Sequence, residues 1–178
     1  MQKNYSIWLW LIAFSCFFVS CKKEREDTLP AATQIGAGTF GCKINGRVYI
    51  PKGSSGTGAP NPKVQYDVDL NGQPYLTIDA NKFISNNVES GVLISFGNLI
   101  NIGTYLVPTN FKFSAGWPEI IGACGVSTID NSVHSFGGGI ITRLDIPNRI
   151  ISGTFDFKAV KPGCDTVRVT DGRFDIKF

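Results

Sequence analysis

The groups with the widest chemical reach in this 178-residue chain are five cysteines, a single histidine and a scatter of carboxylates. A nucleophilic cysteine needs an adjacent base. His134 is the one imidazole on offer, ten residues after Cys124 in a stretch rich in glycine and serine. No local pattern joins the two. There is no Gly-x-Ser-x-Gly elbow for a serine nucleophile, and the glycine clusters at 53–58 and 137–139 lack the Lys-Ser/Thr ending that cradles phosphate. No Cys-x2-Cys spacing marks a zinc site. Asp67, Asp69 and Asp79 form the densest acidic group, suited by type to calcium or to acid–base work on sugars, but on strands they read as a solvated face. Glycoside hydrolysis also requires two carboxylates across a cleft at about 5 to 9 Å, and neither Glu119 nor Asp130 is marked as a partner. The expectation is a protein with no catalytic residue, no metal and no cofactor.

Aromatic residues carry the remaining hint of function. Trp117 sits between Gly116 and Pro118, a setting that can hold an indole outward for contact with a glycan or protein. The other reading, and the more ordinary one, is that it closes one end of the core. Tyr49, Tyr75 and Tyr105 would extend such a surface if they are exposed.

The elements that must position these groups are strands. The chain has 20 Gly, 9 Pro and 13 Phe with short Val/Ile runs, a composition that favours strands and tight turns over helices. Its length suits one full domain better than two cramped ones. Seventeen basic residues against fourteen acidic ones give a formal charge of +3. Because the two signs are interleaved, nothing resembles a nucleic-acid footprint.

Four hairpins organise the run. "TFGCKINGRVYIP" alternates Phe40, Cys42 and Ile44 before an Asn45-Gly46 turn. "KVQYDVDLNGQPYLTIDA" is expected to turn at 71–73, pairing Val68 with Leu76 and Tyr66 with Ile78. "GGGIITRLDIPNRIISGTFDFKAV" is expected to turn at 147–150, with Ile140 opposite Phe157 and a bulge or bend at Gly153. "DTVRVTDGRFDIKF" is expected to turn at Asp171-Gly172, with Val169 opposite Phe174. Further strands fall at "VLISFGNL", with Val92, Ile94 and Phe96 inward, at "GTYLVP", and around Phe111 and Phe113. Residues 51–62 read as a mobile surface loop, and 120–135 as an irregular excursion. The fold expected is all-β, an antiparallel β-sandwich or closed β-barrel of about nine or ten strands built from consecutive hairpins.

The chain's amino end carries a different kind of chemistry. Lys3 precedes a mainly apolar stretch from Ile7 to Val19, too short to span a bilayer comfortably and of a length suited to a secretory signal. Val19-Ser20-Cys21 resembles the end of a bacterial lipoprotein signal, where a small residue precedes a cysteine that is acylated and becomes the mature amino terminus. Phe18 stands where Leu is commoner. The resemblance implies a signal peptide at 1–20 and a lipid-bearing Cys21 of the palmitate-carrying type, while residues 22–38, charged at first and then without apolar periodicity, read as a flexible tether and a single β domain is expected at 39–178. Several acyl chains would give a durable anchor where one gives only reversible binding.

In that setting Cys16 leaves with the signal, while Cys42, Cys124 and Cys164 meet an oxidising compartment. Three pairings are open. Cys124 with Cys164 is the expected disulfide, since both lie beside glycines in turn-like sequence and Cys42 alternates with apolar neighbours. "FFVSCKK", "TFGCKINGRVYIP", "ISGTFDF" and "DTVRVTDGRFDIKF" together resemble the small, uncharacterised lipoproteins of Bacteroidota. The resemblance implies an exported, lipidated β domain, preferentially at the outer membrane, on its periplasmic or its surface-exposed side, and lends no catalytic residue. The leading expectation is a non-catalytic accessory or binding module contacting an envelope protein or glycan. The alternatives are a calycin-like carrier lined by Phe155, Phe157, Phe174, Ile176 and Phe178, and a hydrolase.

Overall fold

The computed structural model describes residues 27–54, 56–84, 87–116 and 124–178, so Cys21 and Trp117 lie outside the described residues. Eleven strands occur among them, and they form two separate antiparallel sheets in a sandwich-like arrangement. One sheet contains β1 (Thr39–Ile44), β2 (Arg47–Tyr49), β6 (Gly103–Leu106), β9 (His134–Asp145), β10 (Ile150–Val160) and β11 (Val167–Lys177), in the order β2-β1-β11-β10-β9-β6. The other contains β3 (Lys63–Val68), β4 (Pro74–Ile84), β5 (Asn87–Gly97), β7 (Phe111–Gly116) and β8 (Val126–Ser127), in the order β3-β4-β5-β7-β8. The expected chain of consecutive hairpins is therefore incomplete. The first and last strands pair with each other, and β6 crosses over to pair with β9.

Period-two alternation produces the core. Phe40, Cys42 and Ile44 from β1, Val92, Ile94 and Phe96 from β5, and Phe155, Phe157 and Ala159 from β10 all point inward and are buried. Phe113 stacks on Phe157 at 3.8 Å between ring centroids with an 11° tilt, and Phe96 packs against Phe174 at 5.8 Å. These contacts join the two sheets through aromatic packing. The rings assigned to a carrier's lining are thus in contact with one another or with neighbouring rings. Gly139 makes this fit possible, because a β-carbon there would lie 2.5 Å from the Phe96 ring.

Three registers depart from expectation, each for a local reason. Asp171-Gly172 is no turn. β11 runs through it as one strand, and its pairing with both β1 and β10 slips by one residue at that point, which is a bulge. Asp171 takes a φ of 54°, and Gly172 admits the Phe155 carbonyl oxygen, which would lie 2.4 Å from a β-carbon. An unbroken strand satisfies backbone groups on both edges at once, which a hairpin at this site would not do.

In the β3–β4 hairpin, Tyr66 faces Leu76 and Val64 faces Ile78. The loop is 69–73, because Asp69 Oδ1 accepts hydrogen bonds from the Asn71 and Gln73 amides. A slip of two preserves the faces, but it leaves Val68 and Leu70 exposed at the tip. In β9–β10, Ile151 faces Leu144, and an extra residue at Thr142 places Ile141 in the core while Ile140, opposite Thr154, stays 46% exposed.

Residues 27–38 correct the picture of a flexible tether, because they form an arm held against the outer face of the six-stranded sheet. The Asp175 carboxylate, in a residue only 1% exposed, accepts from Thr33 Oγ1 at 2.6 Å, from the amides of Ile35, Gly36 and Ala37 at 3.0, 2.7 and 3.2 Å, and from Ser152 Oγ at 2.7 Å. Burial alone would raise its pKa. The donors from Thr33, Ser152, Ile35 and Gly36 outweigh that and hold the carboxyl well below the usual range. Arg173 donates to the Pro30 carbonyl and Arg143 to that of Gln34. At its start the arm is clipped by a 2.8 Å ion pair between Asp27 and Lys52.

The 51–62 loop is also tied down at its ends. The Asn61 side-chain amide donates to the carbonyls of Lys52, Gly53 and Asn81, and its oxygen accepts from the Asn81 amide.

Candidate functional site

The two sheets present different outer faces. That of the six-stranded sheet is partly covered by the arm. That of the five-stranded sheet carries mostly short polar side chains, read across the strands as Gln65, Thr77, Ser95 and Lys112 in one row and Asp67, Tyr75 and Gly97 in the next. Where this face meets the β3–β4 loop and the turns at 98 and 109–110, a groove of about 300 Å³ opens, lined by Asp69, Gln73, Tyr75, Ser95, Gly97, Asn98, Thr109, Asn110 and Lys112. Two other depressions of similar size are seams between the arm and the body, lined by Ala32 in one and by Gly36 and Gly38 in the other.

Each wall of the groove is fixed from below. Asp69 Oδ1 organises the β3–β4 loop and its backbone amide donates to the Gln73 carbonyl. Asn110 closes the β6–β7 turn by accepting from the Leu106 amide through its side chain and from the Gly97 amide through its carbonyl. Leu99, fully buried, donates its amide to the Pro74 carbonyl and so pins the turn carrying Asn98. Tyr75 is half-buried, and Gln65 Nε2 donates to its hydroxyl at 2.8 Å. Its cross-strand neighbour is Gly97, beside which there is open space.

Chemically the groove offers one aromatic surface and several uncommitted polar groups. Among the described residues, Asp69 Oδ2, the side chains of Gln73 and Asn98, Asn110 Nδ2 and the Lys112 ammonium have no hydrogen-bond partner. Such a mixture of donors, an acceptor and a ring fits a polyhydroxylated ligand with an apolar face. It contains no nucleophile–base pair.

The residues singled out in the sequence have other placements. Tyr49 and Tyr105 are core, 2% and 5% exposed, with the Tyr49 hydroxyl donating to the Ala80 carbonyl and that of Tyr105 to the Asn101 carbonyl. They cannot extend a surface. Tyr75 can. Cys124 and Cys164 are disulfide-bonded, their Cα atoms 5.9 Å apart, so Cys124 has no thiol to offer His134, which is exposed at the start of β9. Cys42 is the buried free thiol, its pKa driven up by burial and only partly offset by Lys82.

The three acids separate. Asp67 flanks Tyr75, Asp69 caps the groove loop, and Asp79 accepts from Asn81 Nδ2 opposite Lys63. Among the described residues no group of three or more His, Cys, Asp or Glu side chains is placed to hold a metal ion. Asp130, with a pKa lowered to about 2, is occupied by hydrogen bonds from Ser132 and by Lys161. Trp117 and Glu119 fall outside the described residues, as does Cys21.

Gln73, Asn98, Asn110 and Lys112 carried no signal in the sequence, being ordinary turn and strand residues brought together only by the packing of three separate loops. Among the described residues no helix is long and apolar enough to cross a membrane. No protein-family model, curated protein or solved structure matches the chain.

Proposed function

We propose that the chain is a non-catalytic envelope lipoprotein, anchored through acylated Cys21 at the outer membrane, whose β domain binds a glycan on the exposed face of its five-stranded sheet. The observation that carries this reading is the groove around Tyr75, where an accessible ring is surrounded by side chains with unused hydrogen-bonding capacity. Sugar rings present both the hydroxyls and the C–H face that such a site takes. An envelope protein contacting the same face is the competing occupant, and the rings named for a carrier's lining pack on one another between the sheets, which favours a surface site over an enclosed one.

The test is a soluble-oligosaccharide array, followed by titration calorimetry on whichever sugar binds. Tyr75→Ala should weaken binding about two- to twelvefold, the loss expected for removing a stacking platform worth about 0.5–1.5 kcal/mol. Binding indifferent to Tyr75→Ala and Lys112→Ala would reject the groove. The anchor is tested separately by the intact mass of the amino-terminal peptide from membranes. An unmodified Cys21 still joined to residues 1–20 would reject it.

A further inference from the structure

We infer that the outer face of the six-stranded sheet rests on the phospholipid surface, with Phe136, Leu106 and Ile140 entering the headgroup layer and Lys158 and Arg168 meeting lipid phosphates. This rests on the reading of Cys21 as the anchor point and adds which side of the domain faces the lipid.

The route of the arm is the first support. It lies on this face, held at Asp175, Arg173 and Arg143, and it starts at Asp27, whose partner Lys52 is hydrogen-bonded to Asn81 and Phe83 of β4 at the junction of the two sheets. Cys21 is six residues before Asp27. A fully extended chain of that length reaches about 20 Å, less than the combined width of six strands spaced at about 4.8 Å. A lipid at Cys21 therefore keeps the domain close to the bilayer.

The surface chemistry beside the arm is the second support. Phe136 is 62% exposed and Leu106 56% exposed, and Ile140 joins them on the outward side of β9 and β6. The pairing places Leu106 opposite Gly138, between Phe136 and Ile140, so the three form one continuous apolar strip. Across the sheet from Phe136 come Lys158 and then Arg168 in a single cross-strand row. Neither cation forms an ion pair among the described residues. An aromatic and aliphatic strip beside these two cations matches an interface of acyl chains below anionic phosphates, and the exposed Asp156, opposite Gly138, is the carboxylate that the two cations must outweigh there. On the opposite sheet the outward rows around Tyr75 are polar and, among the described residues, uncovered, as a face turned away from lipid should be.

The experiment uses the chain from residue 21 onward, with Cys21 coupled to a maleimide phospholipid in vesicles of phosphatidylethanolamine and phosphatidylglycerol. Cys42 is buried and the other two cysteines are bonded, so Cys21 alone reacts and the outcome does not depend on acylation in the cell. In a Trp117→Phe background, Phe136→Trp and, as a second probe, Leu106→Trp report depth through quenching by brominated acyl chains. Both should lose at least about half their emission, while Tyr75→Trp on the far sheet loses almost none. Equal quenching on both sheets, quenching of Tyr75→Trp alone, or none at Phe136→Trp and Leu106→Trp, including the case where a second copy covers that strip, would overturn the proposal.

Discussion

The outer faces of the two sheets differ in how they are finished. The six-stranded face is closed over β1, β11 and β10 by a segment of the chain's own amino end, and at its centre a buried carboxylate collects five hydrogen bonds from that segment and from Ser152. Among the described residues the five-stranded face has no such cover, and its loops use their hydrogen bonds to hold one another instead. The contrast teaches that a strand's outward polar residues can have opposite purposes. Asp175 is an internal acceptor that happens to lie on an outward position, whereas Asp69 and Lys112 retain capacity for something outside the molecule.

The largest effect should come from cutting the tie between the two faces. The Cys124–Cys164 bridge joins the approach to β8 in one sheet to the turn after β10 in the other, across a separation of 40 residues. Cys124→Ser with Cys164→Ser should cost about 4 kcal/mol in the chain-entropy account, measured by urea unfolding. A loss under about 1 kcal/mol would mean that the sheets hold together without it.

Next in size is Asp175→Asn. It keeps the shape but leaves several of the five donors without a charged acceptor, which should cost about 3 kcal/mol. The damage should be one-sided, with proteases cutting near Thr33 to Ala37 while Tyr75 keeps its solvent exposure. The acid limb follows from the same residue. Its folded pKa lies below the unfolded value of about 3.9, so its stabilising contribution is present above about pH 4 and is lost as the pH falls toward the depressed folded value. Asp130 and Asp145, each lowered to about 2, act in the same direction. Stability should decline below about pH 4, and Asp175→Asn should flatten that decline.

Ser152→Ala removes one of the five donors and should cost about 1 kcal/mol. Lys112→Ala should change stability by less than about 0.5 kcal/mol while reducing glycan binding. A comparable stability loss at Lys112 and at Ser152 would erase the distinction between a face that builds the fold and one that is free.

The inward sides of β1 and β5 were legible in the sequence because a period of two is unambiguous where Phe40, Cys42 and Ile44, or Val92, Ile94 and Phe96, alternate with their neighbours, whereas the extra residue at Thr142 moved the inward side of β9 from Ile140 to Ile141. Turn chemistry was less informative. Asn45-Gly46 forms the tight hairpin that its composition suggests, with both residues at positive φ, but Asp171-Gly172 uses the same conformational freedom to make a bulge inside a strand. The dipeptide permits a left-handed residue, and only the presence of β1 and β10 on either side decides which structure uses it. The order of strands was not legible for the same reason, since pairing of the first strand with the last is a long-range event that leaves no local mark.

The arm was hidden more deeply. "TLPAATQIGAG" has no apolar period because it packs through backbone amides, and its partner Asp175 lies 138 or more residues away and reads as an ordinary solvent-facing charge. The groove escaped for a related reason. Of its lining, Tyr75 and Asp69 stood out by type, but their meeting with Asn98, Asn110 and Lys112 depends on how three loops stack.

Native-state hydrogen exchange at the amides of Ile35, Gly36 and Ala37, at neutral pH in the chain from residue 21 onward, tests the division into an occupied and a free face most directly. The account predicts exchange slowed by about a thousandfold or more relative to an unstructured peptide, in line with opening that costs several kcal/mol, and a return to near-free rates in Asp175→Asn with the strands of the five-stranded sheet still protected. Free exchange at those three amides in the unaltered protein would show that the arm does not cover the six-stranded sheet, and the contrast between the faces would be wrong.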